Sequence, residues 1–214
     1  MQADTPNADT RALLETHGLT LLEVAAASIH HGLAFLCPMD VDVADAPEQL
    51  RAPGASFVTL KHDKRLRGCI GSPSAYRPLI ADVADNGFCA AFKDSRFPPL
   101  ARHELAGLCM SISVLSPPSA MSFANEADLL EQLRPKVDGL IIQGGDLRAL
   151  FLPQVWDSLP HPRQFLGQLK IKAGLDADYW SDDFQAWRFV AESVSSERLS
   201  DPASIWPASI WKEI

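Results

Sequence analysis

Short β-forming segments in this sequence occur in pairs, and each pair is separated by a turn instead of a helix. Residues 57–60 and 66–70 flank a polar loop, and residues 140–143 and 147–152 flank a turn that contains two glycines. Glycine tolerates the positive φ of tight turns, and strands joined by short turns pair antiparallel. The sequence therefore predicts an α+β fold, with a mainly antiparallel sheet flanked by helices, and disfavours a doubly wound nucleotide fold.

Helical periodicity marks several segments around these strands. Thr20 followed by Glu23 has the form of a capping box, which predicts a helix from there to about residue 35. Pro78 suits the first turn of a helix that ends near residue 92. A third helix is predicted over residues 162–172, where Gly174 is the natural C-terminal stop.

The remaining segments are one short helix, two strands and two long loops. Asn125 can cap a helix that ends near residue 133. Period-two alternation predicts strands over residues 108–115 and 187–191. Residues 38–54 indicate an acidic, exposed connection, and residues 93–100 indicate a loop stiffened by two prolines.

The sequence divides into three stretches along the chain. Residues 1–18 are polar and are expected to form a loose N-terminal segment, and residues 19–192 are expected to form the folded domain. Residues 193–214 form a tail that contains Pro-Ala-Ser-Ile-Trp twice, at residues 202–206 and 207–211. Two exposed tryptophans are unfavourable in water, so the tail either docks onto a surface or stays mobile.

Charge and cysteine content exclude several classes of function. The net charge of -8 and the pI near 5.2 disfavour broad nucleic-acid binding, which needs many basic contacts to phosphate, although a local basic patch remains possible. The four cysteines form no Cys-x-x-Cys pair and have no zinc-like spacing with histidine, so reduced thiols are expected and neither a metal nor a cofactor is predicted. The N-terminus lacks an apolar signal region, and no membrane span is expected, which indicates a cytoplasmic protein.

The Leu-Arg-Gly-Cys-Ile-Gly segment, residues 66–71, is the main candidate for chemistry. Two glycines expose backbone N–H groups around Cys69, and Arg67 brings a positive charge that favours a thiolate. His62 or His103 could then act as a base, with the N–H groups of residues 68–71 stabilising an oxyanion. The structural interpretation is favoured on residue type alone: Cys69 is a small core residue and the glycines allow close packing.

Two other groups of residues are candidates for recognition. Asp94 stands beside cations in the proline-stiffened loop, which suits either a salt-bridged loop or a polar ligand site. Gln154 and Trp156 could present an amide and an indole to a pocket, or could close the edge of a core. The spacing of these residues does not decide between the alternatives.

The chain resembles the AmmeMemoRadiSam system protein A family, also called the AMMECR domain, over roughly residues 19–190. The most diagnostic match is the Leu-Arg-Gly-Cys-Ile-Gly run; the others are Phe-Val-Thr-Leu-Lys at 57–61, Ala-Phe-Lys-Asp-Ser-Arg-Phe-Pro-Pro at 91–99, Ser-Val-Leu-Ser-Pro-Pro at 113–118, Leu-Arg-Pro at 133–135, Val-Asp-Gly-Leu at 137–140 and Phe-Leu-Pro-Gln-Val-Trp at 151–156. The family's loop usually has Arg and Pro where this chain has Lys93 and Ser95.

This resemblance implies an α+β fold of two packed subdomains and a link to a Memo-like protein and a radical SAM protein. The first hypothesis for the function is an accessory protein that binds a small polar ligand or a partner segment. The alternative is a cysteine-dependent enzyme that acts in RNA or small-molecule modification through Cys69. The expected ligand-binding residues all lie in the matched segments: Thr59, Arg67, Gly68, Gly71, Asp94, Arg96 and Gln154.

Overall fold

The computed structural model of the chain describes residues 5–206, with side chains from residue 8 onward. In chain order the helices are α1 (Thr5–Phe35), α2 (Glu48–Arg51), α3 (Leu79–Phe92), α4 (Glu126–Gln132) and α5 (Pro162–Ala173). The strands are β1 (Pro53–His62), β2 (Arg65–Gly71), β3 (Arg77–Pro78), β4 (Leu108–Leu115), β5 (Ser119–Ala120), β6 (Gly139–Gly144), β7 (Leu147–Phe151), β8 (Gln185–Phe189) and β9 (Ala191–Ser195).

The described chain falls into two compact units. The first unit contains residues 5–115 and 192–206, and the second contains residues 116–191. Each unit has its own sheet, with strand order β2-β1-β4-β9 in the first and β5-β8-β6-β7 in the second. The β1–β2, β1–β4, β6–β7 and β6–β8 pairs are all antiparallel, so the predicted α+β class with antiparallel sheets is confirmed.

Helix α1 corrects two predictions at the N-terminus. The expected loose segment is helical from Thr5 onward, and the supposed capping residue Thr20 lies in the middle of the helix. The helix continues because its N-terminal half also packs: Leu14 is buried, and Gly18 lies so close to Val194 that an added Cβ would come within 3.0 Å of that side chain. Packing of an apolar face outweighs a local capping signal.

Residues 8–35 of α1 are long and apolar enough, by length and composition, to cross a membrane. The prediction that no stretch of the chain is long and apolar enough to approach a membrane span was therefore wrong. The helix is nevertheless packed as a core helix, because Leu21, Leu22 and Ile29 are fully buried in the hydrophobic core of the first unit. Such burial is typical of a soluble α+β domain.

The first unit places helices on one face of its sheet. Side chains alternate along β1, so that Val58 and Leu60 are fully buried in the core while Thr59 between them is only partly buried. Helix α3 packs against both β1 and α1. Gly87 permits this close packing, since an added Cβ there would lie 3.2 Å from backbone atoms of Ala25.

The predicted hairpins are confirmed, and the chain between α1 and β1 is less irregular than expected. The β1–β2 turn places Asp63 and Lys64 at positive φ, as a two-residue hairpin turn requires. The acidic connection contains a 3-10 helix at Val43–Asp45 and the short helix α2, whose Leu50 is fully buried.

The end of the folded region differs most from the prediction. The single last strand expected around residues 187–191 is two strands, because β8 belongs to the second sheet and β9 to the first. The proposed tail therefore begins within a strand, where Ser193 and Ser113 are joined by a 2.8 Å hydrogen bond between their hydroxyls. The first Pro-Ala-Ser-Ile-Trp copy is also folded, and Trp206 is only 4% exposed, whereas the second copy lies outside the described residues.

Candidate functional site

The Leu-Arg-Gly-Cys-Ile-Gly segment forms most of β2, an edge strand of the first sheet. Cys69 donates its backbone N–H to Asp94 Oδ2 at 2.9 Å and accepts at its carbonyl oxygen from Arg96 Nη2 at 3.2 Å. An edge strand normally leaves such groups open to another chain. Here the side chains of Asp94 and Arg96 occupy the position that a neighbouring strand would take. We call Cys69, Asp94 and Arg96 together the edge clasp.

Asp94 is the centre of the edge clasp. Its carboxylate accepts from Arg96 Nε at 2.9 Å, from Arg96 Nη2 at 2.7 Å and from the Arg96 backbone N–H at 3.2 Å, in addition to the Cys69 N–H. The hydrogen bonds from the Arg96 side chain hold the pKa of Asp94 far below its usual range, against the opposing effect of burial. Asp94 is thus a permanently ionised structural anchor and a poor proton acceptor.

A second ion pair stands beside the clasp and was not predicted. Arg67 donates to Glu104 from Nε at 2.6 Å and from Nη2 at 3.0 Å, a bidentate geometry. Arg67 lowers the pKa of Glu104 to about 2, burial opposes this shift, and the Ala101 N–H adds to it. The Arg67 side chain is only 10% exposed, so this predicted ligand residue is held inside the protein by Glu104.

Phe97 connects the two ion pairs. The guanidinium carbon of Arg67 lies 5.9 Å from the centre of its ring, and that of Arg96 lies 5.6 Å away. Both distances are within the range of cation–π attraction. Glu104 and Phe97 complete the site. Phe97 lies in the matched segment at residues 91–99 but was not selected as a site residue, and no sequence motif marks Glu104.

Among the described residues, Cys69 has a hydroxyl neighbour and no histidine bonded to its thiol. Its Sγ lies 3.2 Å from Oγ1 of Thr59, its cross-strand partner, and the residue is partly buried. Among residues 5–206, no histidine hydrogen-bonds to this thiol; the ring of His62 instead bonds to the Ala106 carbonyl at 3.2 Å. His103, the other suggested base, is exposed on a 3-10 helix, Arg102–Leu105.

The two glycines of the segment serve close packing. A Cβ at Gly68 would lie 2.0 Å from the Ala90 carbonyl oxygen on α3, and one at Gly71 would lie 2.3 Å from the Phe57 ring. The suggested oxyanion role is not supported at Cys69, because its N–H already donates to Asp94. The structural interpretation of the glycines therefore fits the observed contacts.

Gln154 belongs to the second unit. It is exposed on the 3-10 helix Pro153–Asp157 that follows β7. Its neighbour Trp156 is fully buried, donates from Nε1 to the Asp138 carbonyl at 2.7 Å and stacks on Phe165 with ring centres 3.8 Å apart. Trp156 is thus a core residue of that unit, and the binding role of Gln154 stays a prediction.

A buried polar network lies at the other end of β2 and was also missed. Asp82 on α3 is fully buried and accepts from Ser56 N, Ser56 Oγ, Ser72 Oγ, Arg77 Nε and Asn86 Nδ2, at 2.7–3.0 Å. The signal in the sequence was the polar pair Asp82 and Asn86, four residues apart on an apolar helix. Five donors to one carboxylate make this network a strong tie between α3 and the sheet.

A small pocket adjoins this network. It has a volume of about 270 Å³ and lies between the chain after α1 and the start of α3, where Met39, Asp40, Arg77 and Asp85 line it. Within residues 5–206, no group of three or more His, Cys, Asp and Glu side chains is placed to hold a metal ion.

The comparisons with known proteins agree with this structure. The AMMECR1 family model matches residues 22–194. A Methanothermobacter thermautotrophicus protein is 35% identical over 186 residues, which cover 84% of this chain and 94% of that protein, and a Methanocaldococcus jannaschii protein is 34% identical over 85% of this chain and 91% of its own length. The crystal structure of an uncharacterised protein from Pyrococcus horikoshii aligns with a TM-score of 0.71 and 31% identity, and covers 83% of this chain and 90% of that one. The chain therefore belongs to the AMMECR1 family.

Proposed function

We propose that this protein is an accessory recognition protein that binds a carboxylate-bearing segment of a partner protein beside the edge clasp. The observation that supports this proposal is the state of Arg96, whose side chain is 54% exposed although Nε and Nη2 are fixed by hydrogen bonds. No acceptor for its Nη1 lies among the residues that the structure describes. A pre-oriented guanidinium with open donors suits a carboxylate.

The surroundings of Arg96 favour an acidic partner. Lys61, Lys64 and Arg65 are exposed on the β1–β2 hairpin, where they outnumber the one exposed carboxylate, Asp63, in a chain whose net charge is -8. A local positive surface on an acidic protein steers an acidic segment to one place and repels basic ones. The Phe97 ring adds a flat apolar surface next to Arg96.

We further propose that the partners are the Memo-like protein and the radical SAM protein implied by the family resemblance, and that the complex forms in the cytoplasm. The absence of a base at Cys69, within the described part of the chain, supports an accessory role over a catalytic one. The reacting groups would then belong to a partner, and this chain would supply recognition.

Co-purification and calorimetric titration with each purified partner test the proposal. We expect Arg96→Ala to weaken binding by about 10- to 100-fold, the range for loss of a hydrogen bond between charged groups. Arg11→Ala is the matched control, because Arg11 is also an exposed arginine of the first unit paired with a carboxylate, Glu192, at 3.3 Å. Arg67→Ala is a weaker test, since Arg67 is buried against Glu104.

Three results would decide between the alternatives. Retained binding in Cys69→Ser with loss in Arg96→Ala supports recognition by the clasp. Equal binding by Arg96→Ala and Arg11→Ala contradicts it. Binding of a free dicarboxylate, but of neither partner protein, would replace the partner segment with a small polar ligand.

A cysteine-dependent enzyme acting on RNA or a small molecule is the second candidate, because Cys69 is partly exposed and has the Thr59 hydroxyl 3.2 Å away. The rate of alkylation by iodoacetamide, followed against pH by mass spectrometry, tests it. A Cys69 that reacts no faster than free cysteine at every pH would contradict the enzyme, since no histidine among the described residues bonds to this sulfur. A midpoint well below pH 7 would favour the enzyme.

A further inference from the structure

The folded copy of the Pro-Ala-Ser-Ile-Trp repeat is an integral part of the first unit. Residues 202–205 form a 3-10 helix that packs against α1 and against the 3-10 helix Ser196–Arg198. Ile205 and Trp206, which are 2% and 4% exposed, belong to the hydrophobic core of that unit. We call the surface that receives these two side chains the tail groove.

Four hydrogen bonds shape the chain in the tail groove. Asp201 accepts at Oδ1 from the Ala203 N–H at 3.0 Å, and its carbonyl accepts from Ser204 Oγ at 2.7 Å and from the Ser204 N–H at 3.1 Å. Trp206 donates its N–H to the Ala203 carbonyl at 3.1 Å. Only the bond to Oδ1 requires a carboxylate before the proline, and the other three need only residues of the repeat and the backbone before it.

We infer that residues 207–211 are an alternative occupant of the same groove. They repeat residues 202–206 without a change, so they carry the same two apolar side chains at the same spacing. A shift of the chain by five residues would place Ile210 and Trp211 where Ile205 and Trp206 now lie. The C-terminus thus has two registers that bury identical side chains in one groove.

The first register is favoured for two physical reasons. Asp201 caps the 3-10 helix in this register, whereas Trp206 stands before the proline in the shifted one. The shifted register also lengthens the loop after Leu199 by the five residues of the repeat, and the entropic cost of a longer loop grows slowly with length. The lost cap and the longer loop each cost less free energy than the loss of a buried tryptophan side chain. Removal of the Trp206 side chain should therefore move the chain to the second register.

Unfolding of three full-length variants by urea tests the exchange. Trp211→Ala should unfold at the same urea concentration as the parent protein, because the first register does not use Trp211. Trp206→Ala should lower the midpoint by less than half of the decrease seen in the double variant Trp206→Ala/Trp211→Ala. The difference between the single and double variants measures the rescue by the second copy.

Two outcomes overturn the inference. If Trp206→Ala is destabilised as much as the double variant, the second copy does not enter the groove. If Trp206→Ala is rescued but sediments as a dimer, the groove is filled by the tail of another chain and exchange within one chain is wrong. A monomeric, folded Trp206→Ala beside a double variant that fails to fold supports the inference.

Discussion

Single carboxylates hold together the segments that the sequence marks as functional. Asp94 is separated from Cys69 by 25 positions, yet it receives the Cys69 N–H and fixes Arg96 in one orientation. Asp82 holds the other end of β2, because it accepts a hydrogen bond from the hydroxyl of Ser72, the residue after the strand. Each carboxylate is buried and accepts several hydrogen bonds, which is the arrangement in which a buried charge is tolerated.

The Arg67–Glu104 pair should make stability depend on acid pH. The pKa of Glu104 is about 2 in the folded protein, below the ordinary value of about 4.3, so its contribution is present above that value and is lost as the pH falls towards 2. We expect Glu104→Gln to lose about 2–3 kcal/mol of unfolding free energy at pH 7, with a difference from the parent protein that shrinks below pH about 4.

Urea titrations at a series of pH values measure this dependence. Glu131→Gln is the matched control, because Glu131 is an exposed glutamate on α4 that forms no ion pair within residues 5–206. A constant difference between Glu104→Gln and the parent protein from pH 7 to pH 3 would show that the ion pair does not carry the effect.

At the scale of residues, the sequence selected Cys69, Asp94 and Arg96 as site residues, and the structure brings these three together in the edge clasp. The sequence did not predict the Arg67–Glu104 pair, because Glu104 lies 37 positions away in a short 3-10 helix that has no periodic signal. The type of a residue indicates which contacts it can make. Which contact is formed depends on the folded chain.

At the scale of elements, β2 and α3 approach each other more closely than a side chain allows. We expect Gly68→Ala to destabilise the protein by at least about 2 kcal/mol, because the new Cβ would meet the Ala90 carbonyl at 2.0 Å and either the strand or the helix must move. Thermal unfolding followed by circular dichroism measures the loss.

Gly167→Ala is the opposite case and serves as the control. Gly167 lies within α5, and the nearest atom to an added Cβ, apart from the helix backbone, is 3.8 Å away. Alanine should therefore stabilise α5 by about 0.5–1 kcal/mol. Destabilisation by both substitutions to the same extent would contradict the close-approach explanation for Gly68.

Local signals predicted those elements whose ends depend on local chemistry. Asn125 caps α4 by accepting from the Asp128 N–H, and Gly174 ends α5 at a φ of 89°. The start of α1 was predicted wrongly because it depends on Val194, at the far end of the chain, which packs against Gly18. The split between β8 and β9 was missed for the same kind of reason, since the two strands pair in different sheets.

At the scale of the whole molecule, charge sets the class of partner. With a net charge of -8, the protein should show no saturable binding to a single-stranded RNA of 20 nucleotides below about 100 µM at physiological salt, the weak end of non-specific affinities. Fluorescence anisotropy measures this, with a basic RNA-binding domain as positive control. Micromolar binding that weakens steeply with salt would contradict the proposal that the basic hairpin steers an acidic protein segment to Arg96.

The second unit lies in the sequence between β4 and β9 of the first unit, which has a consequence for synthesis on the ribosome. Residues 116–191 emerge before β9, so the second unit can be complete while the first still lacks its last strand. During that interval β4 is the open edge of the first sheet, whereas the opposite edge at β2 can already be closed by Asp94 and Arg96. The nascent protein would therefore expose one unpaired strand and not two, and β4 is the strand at which chaperones or misassembly should act during synthesis.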